Sequence, residues 1–246
     1  MAFLGVSALL FVASAAATVG WCASMSAMGG MPMPGGWTMS MAWMRMPGQT
    51  LPGFAASFLG MWVVMMVAMM LPSLSLVLWR YREAVGRRWL TAVVGGGYFF
   101  VWTLFGMAAF SLGVALTALA MQQPALARAV PSAVGVVVLI AGAYQVTTWK
   151  ARELASCRGE PGRGCALPAD PGMAWRHGLR QGLHCSSCCV GLMAVLLVIG
   201  VMDLRVMAAV AAAITIERLA PAGERVARAI GAVVVGAGLL LIGNAL

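Results

Sequence analysis

Apolar runs of about 20 residues recur along this chain, each long enough for a helix to cross about 30 Å of hydrocarbon, and that leaves few folds open. They fall at about 3–19, 54–79, 92–120, 130–149, 183–202, 206–219 and 229–246. Of the 246 residues 62% are apolar and 9% charged, against about a quarter charged in a soluble domain. Alternating strand-like segments are absent, so the pattern predicts an all-α fold: a polytopic transmembrane helical bundle of about seven spans. The count is six if the first run is a signal peptide cleaved near the small residues at 13–17, but no basic segment precedes that run, and an uncleaved span is the reading adopted. The sixth run is short, covering about 16 Å before Glu217 interrupts it.

Two regions follow from this map: 1–53, a first span with an external Met-rich loop, and 54–246, the bundle, with a basic cytoplasmic connection at about 150–183. That connection is too short and too rich in Gly and Pro to build a soluble core. The net charge is +9. Arg80, Arg82, Arg87 and Arg88 form one basic cluster, and Lys150, Arg152, Arg158, Arg163, Arg176 and Arg180 form the other. By the positive-inside rule both connections are cytoplasmic, which places the N-terminus inside and the C-terminus outside. No basic segment is interleaved with aromatics, which argues against nucleic acid as a partner. The bilayer is the partner that the composition implies.

Small residues are dense in the spans and allow close helix approach. Pro72 is expected to kink or end the second span, freeing a carbonyl near Ala68.

Sulfur is the chemical theme. Eight methionines, Met25, Met28, Met31, Met33, Met39, Met41, Met44 and Met46, crowd one segment. Thioether sulfur is a soft, neutral ligand suited to Cu(I), and a short mobile loop holding so many is hard to read as core. In the second span Met61, Met65 and Met69 recur every fourth residue, with Met66 and Met70 in a parallel row. Such a ladder suits relay of Cu(I), although Met also fills irregular gaps between helices.

Cys185, Cys188 and Cys189, preceded by His184, open the fifth apolar run, where three thiols converge on what reads as the first turn of a helix. The helix N-terminus and Arg180 would then favour thiolate. Metal binding, a thiol–disulfide pair of Cys185 and Cys188, and structural burial or lipid attachment are all open for this cluster. Cys157 and Cys165 lie in the preceding connection, and their spacing matches no zinc pattern. Cys22 is an odd thiol at the outer edge of the first span. Glu217 is the carboxylate inside an apolar run, a position suited to proton or cation coupling unless Arg218 simply neutralises it.

At these residues the chain resembles the bacterial family of predicted metal-binding integral membrane proteins, domain of unknown function 2182. The resemblance rests on the stretch from Met61 to Pro72, Gly97-Tyr98 with Trp102, Tyr144-Gln145 followed by Lys150, Cys185 through Met193, Gly200 through Asp203, and Glu217 through Pro221. Together these motifs cover about 54–245. It implies metal binding but no reaction; the spans and their flanking charges make a bacterial inner (cytoplasmic) membrane the expected location. The family pattern has a pair of cysteines after the lysine; Cys157 matches the second, while Glu153 stands at the first.

These readings predict a membrane protein that handles copper as Cu(I), for transport across the membrane or for delivery, with a copper chaperone or a copper enzyme under assembly as partner. A membrane thiol–disulfide oxidoreductase using Cys185 and Cys188, and an accessory subunit of a larger membrane complex, are the alternatives. No nucleotide, flavin or haem motif is present, and enzymatic turnover finds no support in the sequence.

Overall fold

The structure is a computed structural model that describes residues 2–46, 48–158 and 170–245. Cys165 and Arg163 lie outside the described residues. Within these limits the chain is an all-α bundle of eight helices: α1 (Ala2–Ala27), α2 (Leu51–Val85), α3 (Arg88–Gln122), α4 (Pro124–Gln145), α5 (Thr148–Arg158), α6 (Pro171–Gly200), α7 (Leu204–Leu219) and α8 (Gly223–Ala245). Six of these, all but α5 and α7, are long and apolar enough to cross a membrane. Leu9, Val233 and Leu240 on the perimeter are about 70% exposed or more, which suits lipid and not water. The protein is therefore a membrane protein by its fold.

Local sequence explains most boundaries. Thr50 accepts from the N–H of Gly53 to start α2, and Gly86 ends it at φ 70°; a left-handed C-cap of this kind favours glycine. Asp170 accepts from Gly172 and Met173 at the start of α6, with Pro171 in the first turn, where its missing N–H costs nothing. Asp203 caps α7 in the same way. Of the two outcomes expected at Pro72, a kink or a stop, the stop does not occur: α2 runs through it to Val85.

Three further features depart from the sequence reading. The connection expected over about 150–183 holds α5, and α6 begins at Pro171, about three turns earlier than the apolar run. The run at 206–219 becomes α7, whose 16 residues extend only about 24 Å. The Met-rich segment is no loose loop but an antiparallel hairpin of β1 (Gly30–Met33) and β2 (Trp37–Ser40), followed by a 3-10 turn at Met41–Trp43.

The hairpin is held to the bundle. Trp37 Nε1 donates to the Ala127 carbonyl at 2.9 Å, and the Trp43 ring packs on Phe58 at 5.3 Å. Below it Trp62, fully buried, donates from Nε1 to the Trp102 carbonyl at 2.9 Å and ties α2 to α3.

Glycine sets how closely α3 and α6 approach. A Cβ on Gly178 would lie 2.2 Å from the Val94 carbonyl oxygen, and one on Gly97 would lie 2.7 Å from that of Trp175. The two helices therefore meet backbone to backbone, the small-residue packing expected in lipid.

Candidate metal centre

Four thiols gather where α5, α6 and α7 meet. Cys185, Cys188 and Cys189 occupy one inward face of α6 and are at most 1% exposed. Cys157 comes from α5, also buried, and its thiol is within hydrogen-bonding reach of Cys188, as Cys185 is of Cys189. Tyr98 Oη, from α3, lies 2.8 Å from Cys185 Sγ. All five described cysteines are free.

The electrostatic partner of these thiols is not the one expected. Cys185 lies about four turns inside α6, beyond the reach of the helix N-terminus, whose influence fades within a turn. Arg180 is exposed. The cation at the thiols is Arg218 of α7: its Nη2 donates to Cys189 Sγ at 3.6 Å and Cys157 Sγ at 3.8 Å, and its Nη1 donates to Ser73 Oγ at 3.2 Å. Its Nε is buried with no hydrogen-bond partner among the described residues.

Arg218 is available for the thiols because Glu217 is engaged elsewhere. Lys150 Nζ donates to Glu217 Oε2 and to the Cys188 carbonyl, both at 2.7 Å, and Gln145 Nε2 donates to Glu217 Oε1 at 2.6 Å. Lys150 is 1% exposed, so it is an internal ion-pair partner and not one of the surface charges that orient the chain. Burial opposes its charge, but Cys188 and Glu217 outweigh that and hold its ammonium above the ordinary lysine range.

The methionine ladder leads toward this centre. Met61, Met65, Met66, Met69 and Met70 are all at most 5% exposed and share one core with the four thiols. Ser73 follows Met69 by one turn on the same face and accepts from Arg218. The row Met61, Met65, Met69, Ser73 therefore ends at the guanidinium that touches Cys157 and Cys189.

The remaining predicted residues are dispersed. Met25 lies in the last turn of α1, half-buried; Met28 and Met46 are exposed; Met41 and Met44 are half-buried near the 3-10 turn. Met31 and Met39 are cross-strand partners in the hairpin, Met39 being buried, with Met33 half-buried on the same face. His184 does not join the thiols: its Nδ1 lies 3.0 Å from Glu153 Oε2. Among the described residues no group of three or more His, Cys, Asp or Glu is arranged to hold a metal ion. The thiols are instead engaged with one another, with Tyr98 and with Arg218.

Arg218 and Ser73 were not among the predicted ligands, Tyr98 and Gln145 entered only through the family resemblance, and Lys150 entered through that resemblance and as one of the orienting charges. The available signal was a polar side chain inside or just beyond an apolar run, which lipid rarely tolerates without a purpose.

The chain is thus a helical membrane bundle whose buried thiols and thioethers share one core beside the partly buried Arg218 guanidinium. The chain belongs to the copper chaperone family PpoB2, which matches residues 59–241. The match takes in the ladder, α5, the cysteines of α6 and Arg218, and leaves the hairpin outside. No curated protein and no solved structure matches the chain.

Proposed function

We propose that the protein is a membrane copper chaperone that receives Cu(I) at the hairpin end, passes it along Met61, Met65 and Met69, and holds it at Cys157, Cys185, Cys188 and Cys189 for delivery to a copper enzyme. The observation that carries this reading is Arg218, which joins the foot of the ladder at Ser73 to two of the thiols.

Charge supports the same ion. Arg218 cannot lose its proton, and a buried cation without a partner costs several kcal/mol, about 3–5 when a pair is broken. Lys150 is paired with Glu217, whereas Arg218 faces the thiols of Cys157 and Cys189, which can supply negative charge. Cu(I) bound by two thiolates carries a net single negative charge and balances the guanidinium. Thiol and thioether donors favour a soft ion such as Cu(I).

Delivery is preferred to transport because the family is one of chaperones. Location in a bacterial inner membrane, with the hairpin end outside, is part of the proposal. It is supported by Arg80, Arg82, Arg87, Arg88, Arg152, Arg176 and Arg180 lying at the α5 end, against Arg45, Arg128 and Arg205 at the other.

The test is copper content after Cu(I) loading and desalting. The wild type should retain copper, and a Cys185→Ser/Cys188→Ser/Cys189→Ser variant should lose the copper held at these thiols. Equal copper in both would end the proposal.

A further inference from the structure

Cys22 is the described thiol that the centre above does not use. It sits near the end of α1, 2% exposed, with its Sγ 3.9 Å from Met202 Sδ at the turn between α6 and α7. The pair brings together residues 180 positions apart, and it joins a thiol to a thioether, the two sulfur types that take Cu(I).

The position of the pair gives it meaning. α1 runs antiparallel to α2, with Phe3 against Trp79 at a ring separation of 6.2 Å. Equal rise along both helices then sets Cys22 level with Met61, the first rung of the ladder. About 16 Å of helix separates Cys189 from Gly200, so no single ion can bridge this pair and the thiol centre.

We propose that Cys22 and Met202 form a second Cu(I) site, the loading station above Met61. It rests on the Cu(I) reading of the thiol centre for the identity of the ion and on its own geometry for its existence. On binding, the Cys22 thiol gives its proton to water and a Cu–S bond forms, while the Met202 thioether supplies a neutral lone pair. Cu(I), one thiolate and one thioether sum to zero charge, which suits a buried position. The thiol centre, with Arg218, suits the negatively charged bis-thiolate complex. The two stations thus differ in charge, and the ion moves from a neutral site to one held by a guanidinium.

The experiment is Cu(I) titration of the purified full chain in detergent against bicinchoninate. Wild type should bind two equivalents, and Cys22→Ser and Met202→Leu should each weaken one of them by about tenfold or more, a loss of at least about 1.4 kcal/mol. The Cys185→Ser/Cys188→Ser/Cys189→Ser variant should keep one equivalent and lose it when Cys22→Ser is added. Unchanged titration in Cys22→Ser overturns the second site while leaving the thiol centre intact. An effect of Cys22→Ser without any effect of Met202→Leu overturns the pair as the site. Wild type that binds no Cu(I) overturns this inference and the proposed function together, whereas one equivalent removed only by the α6 substitutions overturns this inference alone.

Discussion

Lys150 and Glu217 form an ion pair 2.7 Å long in which the side chains are 1% and 2% exposed, and this pairing leaves the neighbouring Arg218 to the thiols of Cys157 and Cys189. Two adjacent residues of α7 thus face different partners. Glu217 closes a network of α4, α5 and α7 through Gln145 and Lys150, and Arg218 closes one of α2, α5, α6 and α7.

Breaking the ion pair should be costly. Lys150→Met leaves the Glu217 carboxylate buried without its cation, and a loss of about 3–5 kcal/mol is expected. The combined Lys150→Met/Glu217→Gln variant should recover part of it. Thermal unfolding in detergent measures this; single and double variants that both unfold with the wild type would show that the pair contributes nothing.

Arg218→Met should weaken Cu(I) binding more than it weakens the fold. Hydrogen bonds to charged groups contribute about 1.5–3 kcal/mol, a factor of about ten to a hundred in affinity. Competition with a chromophoric Cu(I) chelator measures the change, and Arg218→Lys, which keeps the charge, should fall between. An affinity equal to wild type in Arg218→Met would remove the guanidinium from the account.

Met65→Leu and Met69→Leu separate packing from chemistry. A volume-conserving apolar swap costs less than about 1.5 kcal/mol, so the fold should persist while Cu(I) reaches the thiols more slowly. Stopped-flow transfer of Cu(I) from a chelator reads the rate. If both variants load as fast as wild type, these methionines are core alone.

Gly178→Ala should disturb the centre from a distance. Its new methyl would meet the Val94 carbonyl at 2.2 Å, and backbone cannot yield as a side-chain tip does. Forcing α3 from α6 moves Tyr98 off Cys185. Lower thermal stability together with weaker Cu(I) binding is expected; a variant normal in both would mean the two helices adjust freely.

The sequence made the spans legible because lipid demands long uninterrupted apolar helices, and the repeat of Met61, Met65 and Met69 every fourth residue marked their shared face. The hairpin was hidden because Gly30–Met33 and Trp37–Ser40 are too short to show alternation. α5 was hidden because it is polar and short. The α6 start carried a readable signal, Asp170 before Pro171, obscured by the polar residues between Met173 and His184. Arg218 could not be assigned from sequence, since its partners Ser73, Cys157 and Cys189 are 145, 61 and 29 residues away. Adjacency to Glu217 suggested a local pair that the fold does not form.

X-ray absorption at the copper edge, on Cys22→Ser protein loaded with one equivalent of Cu(I), tests the central claim most directly. The account predicts a shell of sulfur alone, lost when Cys185, Cys188 and Cys189 become serine. A shell containing nitrogen or oxygen, or one that those substitutions leave unchanged, would contradict it.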